Sequence, residues 1–156
     1  MATTGTLTME SAARLIEFAA DEEQRFAAAL TDDERTDAGT PERWGAAAAL
    51  WHVTDWKSVQ VERMHAHLEG RPAPFCDGLP FPHRDPDAYA PLATIAWDGV
   101  PEQAATVSAE LAAVTRRFAD GDLGARFEWT LGKPLAQQLI GRGVWHTMTH
   151  LTGYHR

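Results

Sequence analysis

The chain is poor in several features that would each mark a class of protein. It has one cysteine, Cys76, in 156 residues, which excludes an internal disulfide framework and fits a reducing compartment. No apolar run approaches the roughly 18 residues that a transmembrane helix needs, so no membrane span is expected. Met1 to Leu7 carries neither a positive charge nor an apolar run, so no signal peptide is expected and the location reads as cytoplasmic. Basic residues are scattered: Arg116-Arg117 is the only adjacent basic pair, and the formal net charge is −8. That balance disfavours nucleic acid and anionic membranes as partners. It also argues against a helix-turn-helix regulator, which needs a basic recognition helix. Lysine is scarce, two against twelve arginines, a bias that suits a GC-rich coding sequence and says nothing about chemistry.

What is present is an ordinary globular composition, 44% hydrophobic and 23% charged, in a chain long enough to bury a core without disulfides or a structural metal. One domain over residues 1–156 is expected. The pattern is helical. Leu15, Ile16, Ala19, Phe26 and Leu30 recur at helical spacing, which predicts a first helix from about Thr8, its N-cap, to Leu30. Thr31 to Gly39 is polar and ends in glycine, which reads as a loop. Thr40-Pro41-Glu42 offers an N-cap, a proline at the first helical position and an acid in the first turn. The second helix is therefore expected from there to Glu69, with Gly70 and Pro72 as its stop.

Arg71 to Trp97 differs in kind: it contains Pro72, Pro74, Pro80, Pro82, Pro86 and Pro91 and has no helical period. It reads as a long crossover, of the length that usually carries function or packs as a lid. A third helix is expected from about Pro101 to Asp120-Gly121, with Val107, Leu111, Val114 and Phe118 facing inward. Phe127, Trp129 and Leu131 alternate, which suggests a short extended piece. Pro134 opens a last helical region that Gly141 and Gly143 interrupt, so a break is expected before a final helix from Val144 to about Tyr154. The fold class is all-α: a four-helix bundle with a long proline-rich crossover between helices 2 and 3, an architecture that builds its sites from side chains on facing helices.

Histidine is plentiful, at positions 52, 65, 67, 83, 146, 150 and 155. His146 and His150 are four apart and share a helix face, so two imidazoles can reach one ion. Thr147 stands where a metalloprotease would have its general base. His52 sits mid-helix in Ala-Leu-Trp-His-Val-Thr-Asp-Trp, where a core histidine needs a hydrogen-bond partner or a ligand. A third imidazole from a facing helix would complete a site with open positions for water or substrate. Asp55 follows His52 by three and is a candidate to orient an imidazole or relay a proton. Arg142 precedes His146 by four and is a candidate clamp for a carboxylate or sugar oxygen. Glu128 is a further candidate near the site, and Trp51, Trp56 and Trp145 flank the histidines as core or pocket-mouth residues. His65 and His67 face different sides of their helix and read as surface residues. His83 lies in the crossover, and His155 falls off the face of the pair. Cys76 lacks the basic neighbour or CxxC partner that would make it a nucleophile.

In order and spacing, several of these stretches resemble the DinB-like (YfiT-like) superfamily of four-helix bundles, including its DfsB-type branch. They are Trp44…Leu50-Trp51-His52-Val53-Thr54-Asp55-Trp56, the proline-rich crossover, Phe127-Glu128-Trp129-Thr130…Gly132-Lys133-Pro134-Leu135 and His146-x-x-x-His150. The resemblance implies that His52, His146 and His150 bind a divalent metal. Three imidazoles suit zinc, nickel, manganese, iron or copper. It further implies a metal-dependent enzyme that activates a low-molecular-weight thiol of the mycothiol or bacillithiol type, for S-transfer to an electrophilic small molecule or for its isomerisation. Within that resemblance, the GC-rich look of the coding sequence favours mycothiol over bacillithiol. A homodimer is also implied. Two other readings stay open: a self-protection protein that sequesters or hydrolyses a reactive small molecule, with or without metal, and a bundle whose role is association.

Overall fold

The computed structural model of the chain describes residues 6–74 and 89–154. Cys76, His83, His155 and the prolines Pro80, Pro82 and Pro86 lie outside them. Six helices follow in order: α1 (Met9–Ala29), α2 (Asp32–Thr36), α3 (Ala46–Leu68), α4 (Val100–Thr115), α5 (Leu135–Ile140) and α6 (His146–Tyr154). A π-helical turn, Gly141–Trp145, joins α5 to α6. The described residues contain no strand, and the molecule is an all-α helical bundle.

Helix α1 begins as its sequence dictates. The Thr8 hydroxyl accepts from the Ser11 N–H at 3.1 Å, and the Asp120 carboxylate takes the Met9 N–H, which has no partner within the helix, at 2.7 Å. Its buried stripe is Met9, Ala12, Ala13, Ile16, Ala19, Glu23, Phe26 and Ala27, which is apolar except at Glu23. The stripe packs chiefly on α4. Gln24 meets the start of α4 at the Pro101 carbonyl, and Glu10 meets its end at Arg116, so α1 and α4 run in opposite directions. Helices α3 and α4 run the same way. Leu50 and Val53 pack on Val100 and Ala104 near one end, while His65 reaches Glu110 near the other. Parallel neighbours need a connection that travels back the length of a helix, which is why the chain carries its long crossover there. The C-terminal rod α5–π-turn–α6 closes the bundle against α1 and α3.

Five expectations need correction. The second long helix starts at Ala46, not Thr40. Residues 40–43 instead close a tight loop, Thr40 and Arg43 exchanging backbone hydrogen bonds inside a Gly39–Trp44 bridge. The segment read as a loop after α1 contains α2, with Thr31 and Glu34 forming a capping box. The third long helix ends at Thr115, five residues early, and Phe118 is buried just beyond it. Phe127, Trp129 and Leu131 are not extended: Glu128–Thr130 is a 3-10 turn, and Leu131 (φ 54°) is left-handed and exposed. Phe127 and Trp129 stack at 5.4 Å, so tertiary packing, not alternation along a strand, explains their spacing. The interruption at Gly141 and Gly143 is the π-turn, and the final helix starts at His146 instead of Val144.

Candidate metal centre

His52 projects from the second turn of α3. His146 and His150 project from α6, which packs against it. The ring centroids lie 5.0 Å (His52–His146), 5.0 Å (His52–His150) and 4.8 Å (His146–His150) apart. One nitrogen from each ring can be chosen so that all three lie within 4.8 Å of one another. The Nε2 atoms of His146 and His150 are 3.1 Å apart. Two imidazoles on one tetrahedral ion at a bond length of about 2.05 Å place their nitrogens about 3.3 Å apart. The pair fits that separation, and the donor set is three nitrogens with no carboxylate. His52 is buried and the other two are partly buried. The residues therefore suit a borderline divalent ion with open coordination positions.

Aromatic rings hold the imidazoles in place. Trp44 stacks on His150 at 5.1 Å and presents its ring edge-on to His52 at 5.0 Å. It reaches both because it sits ahead of α3, on the loop closed by the Gly39–Trp44 bridge. Its indole N–H donates to the Pro41 carbonyl at 3.1 Å. Trp56, one turn after His52, lies 6.4 Å from His52 and 6.2 Å from His146. The Arg142 guanidinium rests 4.5 Å above the Trp56 ring, a cation–π placement that keeps a flexible side chain over the site.

The cluster opens on two sides. One cleft of about 450 Å³ is lined by Trp56, Gly141, Arg142, Trp145, His146, Thr149 and His150. Trp145 is its exposed rim, with 72% of its surface free. A second cleft of about 380 Å³ lies on the Trp44 side, between Glu42, Arg43, Ala49, Gly153 and Tyr154, and shares His150.

The other sequence candidates fall into place around this. Arg142 stands in the first cleft, on the π-turn that precedes His146. Asp55 is partly buried on α3 and makes no hydrogen bond to His52, His146 or His150. Burial raises its carboxyl pKa. Trp51 packs between the aromatic cluster at Trp44 and Tyr89 and the apolar contacts of Leu50 and Val53. Glu128 does not join His52, His146 and His150. It lines a cavity of about 240 Å³ with His67, Arg71 and Trp129, and His67 is about 22 Å along α3 from His52 at 1.5 Å per residue. His67 packs against Phe127 at 4.2 Å, and His65 faces Glu110 at 3.3 Å. Sequence reasoning missed the part that Trp44 plays, because a helix starting at Thr40 would have placed it on a regular turn. It also missed the buried polar residues Glu23, Lys57, Ser108 and Thr147 beneath the site. Their signal was a charge at a core position of two apolar stripes.

The sequence model of the family described as the DinB superfamily matches residues 9–152, a span that includes all three histidines. No curated protein and no solved structure matches the chain. No helix among the described residues is long and apolar enough to cross a membrane. From the bundle and the family match together, the chain belongs to the DinB superfamily.

Proposed function

We propose that the protein is a metal-dependent enzyme that activates a small thiol for transfer to, or isomerisation of, an electrophilic small molecule. The observation that carries the reading is the convergence of His52, His146 and His150, two of which, His146 and His150, line a cleft that also presents a cation. A divalent ion held by these imidazoles would supply a Lewis acid that lowers the pKa of a bound thiol, and the thiolate is the nucleophile. The protein's own residues do the rest. Arg142, steadied on Trp56, offers planar donors to a carboxylate or other anionic group of the substrate. Trp56 and Trp145 give the cleft apolar surface on which the carbon frame of a substrate can rest. Asp55 would take up a proton at the edge of α3, a task that its raised pKa suits better than an ordinary surface carboxylate.

The test begins with metal content, measured by mass spectrometry on untagged protein purified without imidazole or chelator. About one divalent ion per chain, lost in His52→Ala and His150→Ala, is the expected result for a three-imidazole site. No bound ion, and no uptake of zinc, nickel or manganese on titration, would overturn it. Loaded protein is then offered small thiols with electrophiles. Many product molecules per chain support an enzyme, whereas consumption that stops at one equivalent supports sequestration.

A further inference from the structure

The buried faces of α1 and α3 carry charges at positions where packing calls for a hydrocarbon: Glu23 on α1, and Lys57 and Arg63 on α3. Glu23 has no exposed surface, and Lys57 has none either. Ser108 of α4 and Thr147 of α6 are equally buried, and the four meet. The Lys57 ammonium donates to Glu23 Oε1 and, at 3.0 Å, to Ser108 Oγ. Ser108 donates to Glu23 Oε2 at 3.3 Å, and Thr147 donates to Glu23 Oε1 at 2.9 Å. Each long member of the bundle thus contributes one residue to a single polar node.

Burying an ion pair is a poor way to gain stability, since a well-packed apolar pair of similar volume does as well or better. What such a node does well is hold its elements in one arrangement. Here the elements held are the two that carry the imidazoles. Thr147 directly follows His146. Lys57 directly follows Trp56, in the turn after His52. Both are registered against the same carboxylate of α1, which carries no ligand itself. A metal centre split between two helices needs this, because ligand nitrogens must sit within a few tenths of an ångström of their places.

We propose that the Glu23 carboxylate, with Lys57 and Thr147 as its donors, is the positioning device of the histidine cluster: it fixes the register of α6 against α3 and hence the approach of His52 to His146 and His150. Glu23, Lys57 and Thr147 are positioning residues and touch no substrate. The inference rests on reading the cluster as a metal centre, and the experiment separates the two. Thr147→Val removes the hydroxyl and keeps the shape and the ion pair. Thr147→Ser keeps the hydroxyl. For both and the parent, zinc affinity is measured by competition with a chromogenic chelator. Melting temperature and amide hydrogen exchange along α6 are measured without metal.

In Thr147→Val, zinc affinity is expected to fall about tenfold or more, the loss typical of residues that orient ligands from behind. The metal-free melting temperature should drop by only a few degrees, and α6 amides should exchange faster than those of α1 or α4. Thr147→Ser should restore affinity and protection. Parent-like zinc affinity in Thr147→Val, or failure of serine to restore it, overturns the proposal. If the parent itself takes up no zinc, the metal reading has failed instead. Exchange along α6 then decides the positioning role: faster in valine and restored by serine supports it, and unchanged in valine overturns it.

Discussion

Two glycines two residues apart in the π-turn should respond to the same methyl group with opposite sign. At Gly141 a Cβ would meet nothing within 4 Å, and the backbone is already helical (φ −61°, ψ −50°). Alanine there removes conformational freedom from the unfolded chain without strain, a gain of about 0.5–1 kcal/mol. At Gly143 the same Cβ would lie 2.8 Å from Ile16 Cγ1, 3.3 Å from Ile16 Cδ1 and 3.4 Å from Leu111 Cδ2. Carbon atoms prefer roughly 3.5–4.0 Å, so the turn or Ile16 must retreat by nearly 1 Å. Both flanking residues are completely buried, and overpacking of this kind costs about 1–3 kcal/mol. Alanine's better helix propensity offsets up to about 1 kcal/mol of that. For a chain of this size 1 kcal/mol moves the melting temperature by roughly 2–4 °C. Gly141→Ala is therefore expected to melt above the parent and Gly143→Ala below it, separated by roughly 4–8 °C in thermal unfolding followed by circular dichroism. Ile16→Ala combined with Gly143→Ala should lose less than the sum of the single losses, because the cavity accepts the methyl. A Gly143→Ala protein as stable as Gly141→Ala would refute the close approach of turn and α1.

Three further outcomes follow from buried and paired groups. Gln60 is fully buried, and neither side-chain polar atom has a hydrogen-bond partner among the described residues. Gln60→Met should therefore raise stability by about 1 kcal/mol, since an unsatisfied buried polar group costs roughly 1–3 kcal/mol; a loss in chemical denaturation would show that the amide is satisfied in solution. Lys57→Met leaves the Glu23 charge buried without its cation and should cost about 3–5 kcal/mol, whereas Glu23→Leu with Lys57→Met should recover most of that; equal losses in the two proteins would contradict this. Arg116 binds the carboxylates of Glu10 and Glu17. Hydrogen bonds from Arg116 and then Arg14 hold the Glu10 pKa down to about 2, and Arg116 lowers that of Glu17 as well. Their contribution is complete above the ordinary glutamate value of 4.5 and disappears as pH falls through the lowered values. Arg116→Ala should thus melt below the parent near neutral pH, with the gap closing toward pH 2; a gap independent of pH would mean that the ion pairs contribute nothing.

What was legible in the sequence is what local chemistry decides. Thr8 caps α1 because a hydroxyl at that place satisfies an amide that the helix leaves open. The pairing of His146 with His150 needs only the pitch of one helix, and their separation follows from it. The crossover announced itself because prolines cannot sustain a helix. The start of α3 was misread for the converse reason. Thr40-Pro41-Glu42 is a good local helix start, but contacts made far along the chain override it. The Tyr89 hydroxyl accepts from the Gly45 N–H at 3.1 Å and donates to the Ala38 carbonyl. Gly39 takes φ +70° to turn the loop, and any side chain at Gly45 would strike the Asp37 carbonyl oxygen. Those contacts hold residues 40–44 in a loop and place Trp44 on His150. Nothing local encodes that, because Tyr89 lies 44 residues beyond Gly45, within the crossover.

The mouth of the site shows how the two kinds of information combine. Counting four residues back from His146 gives Arg142 only if the helix is regular, and it is not: hydrogen bonds across Gly141–Trp145 close five residues apart, not four. The glycine pair announced an interruption but not its form. The form comes from packing. Gly143 lies flush on Ile16 and Leu111, a closeness that only a residue without a Cβ permits, and the turn widens there. One side of the widened turn is thereby fixed against α1, and the other carries Arg142 over Trp56 and turns Trp145 out to the rim. Helix α6 then begins at His146 with Thr147 facing inward to Glu23 and His150 one turn later facing His52. Moving the contact at Gly143 moves the cation at the mouth and the first imidazole together. A change at Gly143 is therefore expected to weaken metal binding as well as stability, whereas the same change at Gly141, whose Cβ position is open, should leave metal binding in place. Zinc titration of the two alanine variants reads this directly, and equal affinities in both would separate the packing of the turn from the geometry of the centre.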